Sequence, residues 1–128
     1  MDPIEIKKKD PFFIHQIKSF AFAFEGIYYS FKKGTHFKIE TTVLLLAIVL
    51  GFVYRITTAE WFNIILISSA VLGAEAINTG IEELGDVLHP EHHPRIRLAK
   101  HCAAGGVLIL STAAIIIGLI IFLPKIIG

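Results

Sequence analysis

Hydrophobic and polar positions divide the chain into a polar beginning, an aromatic segment and three long apolar segments. Residues 1–11 are mostly polar and end at Pro11, so we expect a short tail. Between Phe12 and Lys33, phenylalanine and isoleucine recur at spacings of three and four among charged side chains. This spacing predicts an amphipathic helix over 12–33 that lies at a membrane surface. Packing of the same aromatic face against other helices is the alternative.

Each of the three apolar segments is close to the length of a membrane-spanning helix. Such a helix needs about 20 residues, and the pattern predicts spans over 40–59, 61–87 and 99–123. Few residues separate the first two spans, whereas 88–94 form a longer connection with two prolines. The pattern predicts one all-α integral membrane domain over 1–128, with an N-terminal surface helix and three transmembrane helices.

The composition agrees with a membrane protein. The chain is 54% hydrophobic and 18% charged, and its mean hydropathy is +0.66, whereas about a quarter of a typical soluble domain is charged. A net charge of +1, without basic residues interleaved among stacking aromatics, argues against nucleic acid as a partner. The single Cys102 excludes an intrachain disulfide.

The positions of the positive charges predict an orientation in the membrane. All lysines and arginines except Arg55 and Lys125 lie before the first span, between the second and third spans, or at the start of the third span. Loops rich in lysine and arginine remain in the cytoplasm. We therefore expect a cytoplasmic N-terminus and second loop, and a C-terminus on the outer side.

The second apolar segment carries four polar side chains on one helical face. At about 100° of rotation per residue, Glu75, Asn78, Glu82 and Asp86 fall within an arc of about 80°, and Glu83 points away from it. Carboxylates in a membrane segment are costly, and they occur mainly where they contact water, metal, cations or one another. We regard this face as the candidate functional site.

Lys100, at the start of the third span, supplies a positive charge for this site. Carboxylates that hold a divalent cation, a lysine for phosphate charge and a base near an accepting hydroxyl suit phosphoryl transfer. Passage of protons or cations along the carboxylates is equally compatible with the residues, and so is a purely structural polar network between helices. The residues alone leave these alternatives open.

Several short motifs in this region resemble the prokaryotic diacylglycerol kinase family, which includes the undecaprenol kinases. They are Glu75-Ala-Ile-Asn78-Thr-Gly-Ile-Glu82, Asp86, Ala99-Lys100 and Ala103-Ala104-Gly105-Gly106-Val107-Leu108. The resemblance extends over nearly the whole chain. It implies a homotrimer in the bacterial inner (cytoplasmic) membrane, with active sites between subunits at the cytoplasmic interface that use ATP and Mg²⁺.

The resemblance also implies an activity and a role for each site residue. The activity is transfer of the γ-phosphoryl group of ATP to the hydroxyl of diacylglycerol or undecaprenol. By position, Glu75 is the expected catalytic base, Asn78 a polar organiser and Glu82 a metal ligand. Asp86 is the expected contact on the nucleotide side, and Lys100 the phosphate contact.

Two positions depart from the family pattern. Gly34 stands where the family has a glutamate on the metal side, and His101 stands where the family usually has an aspartate. His36 and Glu40 are close to Gly34 in sequence, but neither has the spacing to replace that glutamate. These departures motivate an alternative function, a catalytically impaired homologue that binds lipid or nucleotide in the membrane.

Overall fold

The computed structural model describes residues 10–128, so residues 1–9 of the predicted tail lie outside the described residues. Residues 10–128 form four helices: α1 (Phe12–Lys33), α2 (Thr35–Val53), α3 (Thr58–Leu88) and α4 (Pro94–Ile127). The helices α2, α3 and α4 are long and apolar enough to cross a membrane. The prediction of an all-helical chain with three apolar helices of membrane-spanning length is therefore confirmed.

Consecutive apolar helices run in opposite directions, which gives the bundle two distinct ends. At one end, here called the α1 end, Lys33 of α1 forms an ion pair with Glu83 near the end of α3. At the opposite end, Lys125 of α4 lies 2.7 Å from Glu60 in the first turn of α3. The most extensive helix packing joins α3 to α4. The acidic part of α3 therefore lies at the α1 end.

Gly34 separates α1 from α2 and allows α2 to begin at Thr35, five residues before the predicted start at residue 40. The Gly34 N–H donates to the Ser30 carbonyl at 2.8 Å. A Cβ atom at position 34 would lie 2.7 Å from that same carbonyl oxygen. Because this close approach involves backbone, only glycine fits here without a shift of the chain.

The helix α2 ends at Val53 and not at the predicted residue 59. Arg55 has a φ of 49°, in the left-handed region. Its N–H donates to Phe52 O at 3.3 Å, and the N–H of Ile56 donates to Gly51 O at 3.0 Å. These two bonds form a Schellman motif, which satisfies the last carbonyls of the helix and stops it.

The helix α3 begins at Thr58, three residues before the predicted start at 61, because Thr57 and Glu60 form a capping box. The Thr57 side chain accepts from the Glu60 N–H at 3.2 Å, and the Glu60 carboxylate accepts from the Thr57 N–H at 2.8 Å. This exchange satisfies two backbone donors at the start of the helix. The helix then continues to Leu88, one residue past the predicted end at 87.

The helix α4 is longer at both ends than the predicted span of 99–123. It begins at Pro94, where a proline suits the first helical position, and the His93 side chain accepts from the Arg95 N–H at 3.3 Å. Pro124 does not end the helix, which continues for one turn to Ile127. A proline in the last turn removes only one backbone hydrogen bond, so this extension is tolerated.

Little of the apolar surface is buried within a single chain. A small core of Ile56, Ile64, Ile121 and Phe122 lies near the end opposite α1. Large apolar side chains elsewhere are mostly exposed, as for Phe52 at 72%, Leu66 at 73% and Ile109 at 71%. A contiguous apolar surface of this kind is the contact surface of a protein that resides in lipid.

Candidate active site

Glu75 is a buried carboxyl in the middle of an otherwise apolar part of α3. It retains 5% of its exposure and lies one helical turn from Val71 on one side and Thr79 on the other, both also buried. His36 and Glu40 of α2 and Glu82 of α3 lie close enough to interact electrostatically with it. Three ionisable groups on α2 and α3 therefore contribute to the electrostatic environment of the predicted base.

Asn78 and Glu82 form the next part of the site along α3. Asn78 Nδ2 donates to Glu82 Oε1 at 3.2 Å, as expected for side chains one turn apart on a helix. The other atom of the amide, Asn78 Oδ1, is buried and has no hydrogen-bond partner in residues 10–128. This unsatisfied oxygen and the free oxygen of Glu82 are the acceptors that the site offers to a ligand.

Asp86 and Lys100 form an ion pair that joins the end of α3 to the start of α4. Gly85 makes this approach possible, because a Cβ atom there would lie 2.8 Å from Lys100 Cε and 3.0 Å from Ile96 Cγ2. A polar cavity of about 220 Å³ lies beside the pair, and His89, Arg97 and other residues of the α3–α4 connection line it.

The predicted site residues therefore lie in two groups along α3. Glu75, Asn78 and Glu82 are together, whereas Lys100 is paired with Asp86 near the helix end. Eleven residues of helix separate Glu75 from Asp86, which corresponds to roughly 16 Å. A ligand that contacts both groups must be extended along the helix.

Glu83, which points away from the other acids on the helix, has a partner on α1. Its carboxylate pairs with Lys33, and the Lys33 ammonium also lies 5.9 Å from the centre of the Tyr29 ring. Glu83 therefore connects the last residue of α1 to the acidic part of α3. Sequence spacing could exclude Glu83 from the polar face but gave no signal for this contact.

Two further residues, His36 and Glu40, lie near the site in the structure, although their spacing in the sequence did not assign them to it. The helix α2 starts directly after Gly34 and places positions 36 and 40 one turn apart on one face, within electrostatic range of Glu75 on α3. Glu40 Oε1 also accepts a hydrogen bond from Ser111 Oγ of α4 at 2.9 Å. His101, the second departure from the family pattern, is exposed on α4.

The fold and the site together define a helical membrane protein with a buried carboxyl group and an adjoining charged site at one end of its bundle. A model of the prokaryotic diacylglycerol kinase family matches residues 21–122, which include all the site residues described above. The chain belongs to the prokaryotic diacylglycerol kinase family.

Two curated relatives agree with this assignment. The chain is 34% identical over 108 residues to the undecaprenol kinase of Bacillus subtilis (strain 168), and the match covers 84% of this chain and 88% of the relative. It is 30% identical over 111 residues to the diacylglycerol kinase of a Synechocystis species, covering 86% of this chain and 63% of that relative. The chain thus spans less than two thirds of the second relative.

Proposed function

We propose that the protein is a membrane lipid kinase that transfers the γ-phosphoryl group of ATP to the hydroxyl of diacylglycerol or undecaprenol. The observation that carries the proposal is the arrangement along α3. A buried carboxyl, Glu75, lies at one end, and the charged pair Asp86–Lys100 lies roughly 16 Å away. Membership of the family and the names of the two relatives support the same reaction.

The two groups of side chains suit the two substrates of such a reaction. Glu75 lies in the apolar part of α3, which is long and apolar enough to cross a membrane, and this position suits the lipid substrate. Asp86 and Lys100 lie beside the polar cavity at the α1 end, where a soluble nucleotide can enter. An extended triphosphate between them would pass Asn78 and Glu82. The positions of the side chains therefore support a nucleotide bound along α3 with its γ-phosphate toward Glu75.

Asn78 and Glu82 fit a magnesium ion that arrives with ATP. Asn78 Oδ1 is buried without a partner, and Glu82 uses one carboxylate oxygen for the Asn78 amide, so two hard oxygen atoms are available. Within residues 10–128, no group of three or more histidine, cysteine, aspartate or glutamate side chains is arranged to hold a metal. Magnesium commonly takes one or two protein carboxylates and completes its shell with phosphates and water. When bound, it neutralises phosphate charge.

The proposed reaction is a single displacement at phosphorus. The lipid hydroxyl oxygen forms a bond to the γ-phosphorus, the bond from that phosphorus to the bridging oxygen breaks, and ADP leaves. Glu75 accepts the hydroxyl proton. Lys100 steadies the phosphate charge, and Asp86 holds the Lys100 ammonium in place and faces the nucleotide. Asn78 keeps Glu82 oriented through its amide.

The proposal includes a location and an assembly. In the bacterial inner membrane, the α1 end would face the cytoplasm, with α1 lying on the membrane surface and its aromatic face toward lipid. The phenylalanines of α1 are largely exposed in a single chain, as for Phe20 at 64% and Phe24 at 69%. The exposed apolar faces of the three long helices also suit contacts between three copies with active sites between subunits.

Replacement of Glu75 by glutamine tests the proposal most directly. The wild-type protein in mixed micelles with labelled ATP and magnesium should transfer label to diacylglycerol or to undecaprenol, offered separately. Glu75→Gln should lower kcat by about 10²–10⁴-fold, because it removes the base but keeps the shape of the side chain. Glu25→Gln, an exposed change on α1, is the control and should leave the rate unchanged.

The outcomes separate the proposed functions. Label in one lipid, lost in Glu75→Gln and retained in Glu25→Gln, establishes the kinase and its acceptor. A folded wild-type protein that transfers no label to either lipid contradicts the proposal. Binding of lipid or nucleotide by that inactive protein would then support the catalytically impaired homologue that Gly34 and His101 motivate.

A further inference from the structure

Glu40 carries a carboxylate to which the roles implied by the family resemblance assign no function. It lies on α2, half-buried between the helices, and interacts with the Glu75 carboxyl on α3. One of its oxygens, Oε1, accepts the hydrogen bond from Ser111 Oγ on α4. A carboxylate has two oxygens that act as acceptors, so Oε2 remains for a further donor. The hydrogen bond from Ser111 thus fixes the Glu40 carboxylate between α2 and α4, within electrostatic range of Glu75.

Glu40 also lines an apolar cavity of about 380 Å³ between α2, α3 and α4. Among the lining residues of the described chain, Glu40 is the charged one, and Ser68 and Ser111 are the polar ones. The lining includes Val71 and Leu72, one turn before Glu75 on α3. The cavity therefore extends from Glu40 into the apolar part of the bundle, and Glu75 lies one turn beyond its lining on α3.

The polarity of this cavity matches an amphiphile with a hydroxyl at one end. A hydrocarbon chain suits the apolar walls, and a hydroxyl donor suits the free oxygen of Glu40 at the end near Glu75. A carboxylate beside apolar walls costs free energy unless its oxygens accept hydrogen bonds. Ser111 donates to only one of these oxygens, so a ligand that donates to the other would lower this cost. A wholly apolar occupant would leave this oxygen without a partner.

We propose that Glu40 binds the hydroxyl-bearing end of the lipid acceptor beside Glu75, that the hydrocarbon of this lipid occupies the cavity, and that Ser111 positions Glu40 for this contact. The inference rests on the proposed lipid kinase function. It assigns Glu40 to acceptor binding and Ser111 to positioning of Glu40. The nucleotide contacts proposed above, Asp86 and Lys100, include neither residue.

A kinetic comparison of three α4 variants tests the role of Ser111. Ser111→Ala removes the hydrogen bond to Glu40 and should raise the KM for the lipid acceptor about five- to tenfold, with kcat and the KM for ATP nearly unchanged. Ser111→Thr keeps the hydroxyl and should restore the wild-type KM. Thr112→Ala is the matched control, because Thr112 bonds only the Leu108 carbonyl of its own helix, at 2.7 Å. Equal effects of Ser111→Ala and Thr112→Ala would overturn the assignment.

A binding measurement without ATP keeps the test independent of catalysis. Diacylglycerol and polyprenol probes that carry a diazirine in the hydrocarbon should label the cavity-lining part of α4 in the wild-type protein. Glu40→Gln should reduce this labelling about tenfold at limiting probe, and Glu25→Gln, an exposed change on α1, should not. Labelling of an inactive wild-type protein would separate this inference from the kinase proposal. Absence of labelling, or labelling unaffected by Glu40→Gln, would refute the inference.

Discussion

Gly34 has a packing role that is separate from the chemistry that a glutamate would supply at this position. Its α-carbon lies against the Ser30 carbonyl, at the point where α1 ends and α2 begins. The position has a φ of −82°, which any residue can adopt, so the constraint is contact with backbone and not left-handed geometry. A side chain here must move one helix relative to the other.

Gly34→Glu is therefore expected to lower stability without restoring metal binding. Overpacking against backbone costs about 1–3 kcal/mol, so both Gly34→Ala and Gly34→Glu should lower the Tm of the purified protein in detergent. Gly26→Ala on the same helix is the control, since a Cβ atom at position 26 meets nothing within 4 Å. Increased kinase activity in Gly34→Glu at an unchanged Tm would contradict this prediction.

At the scale of helices, the ion pair between Lys33 and Glu83 links α1 to the acidic part of α3. Both side chains are partly exposed, so the pair contributes only about 0.2–1 kcal/mol. That energy is small for the whole fold, but the pair lies at the last residue of α1, and helix ends open at low free-energy cost. The position of α1 is therefore sensitive to this pair.

Glu83→Gln is expected to loosen α1 without unfolding the bundle. Backbone amide exchange at the C-terminal end of α1 should increase about two- to fivefold, while exchange in α3 and α4 stays unchanged. The charge-swapped double variant Lys33→Glu with Glu83→Lys should recover most of the protection. If α1 exchanges at the wild-type rate in Glu83→Gln, the pair does not hold the helix.

Helices and their polar faces could be predicted from sequence, but contacts between helices could not. The apolar stretches predicted three long helices, and the 3.6-residue period put Glu75, Asn78 and Glu82 on one face. The start of α3 was predicted three residues late, although Thr57 followed three residues later by Glu60 is the pattern of a capping box. The left-handed Arg55 that ends α2 has no such signal, because glycine or asparagine usually occupies that position.

The contact of Glu40 with Ser111 shows why part of the site could not be predicted. The two residues are 71 positions apart, and only the packing of α2 against α3 and α4 brings them together. Spacing along the chain assigns residues to faces of one helix but does not give the rotation of one helix against another. Glu75 could be identified from the pattern of its own helix, whereas its neighbours on α2 could be identified only from the structure.

For the whole molecule, the lengths of the helices bear on how the protein lies in a membrane. With 31 and 34 residues, α3 and α4 are roughly 46 Å and 51 Å long, whereas the hydrocarbon core of a bilayer is about 30 Å thick. Both helices therefore extend beyond the hydrocarbon. If the end near Glu60 lies at one interface, Asp86 at the other end of α3 lies roughly 9 Å beyond the far edge of the hydrocarbon, in the headgroup region.

This geometry and the distribution of positive charge predict that the C-terminus faces outward and the α3–α4 connection faces the cytoplasm. In a Cys102→Ala background, Gly128→Cys should react with a membrane-impermeant maleimide added to intact cells whose outer envelope has been removed. Glu91→Cys should react only after the inner membrane is permeabilised. The reverse pattern of labelling would show that the orientation is wrong.

The connection between α2 and α3 has a consequence for the biogenesis of the protein. A Schellman motif ends one helix and a capping box starts the next, so the turn needs only the four residues 54–57. Most backbone polar groups of this turn form hydrogen bonds within the chain, and Arg55 is the one charged side chain among residues 54–57. Two apolar helices joined in this way can enter the bilayer together as a hairpin. Translocation then moves one short turn across the membrane, with Arg55 as its principal energetic barrier.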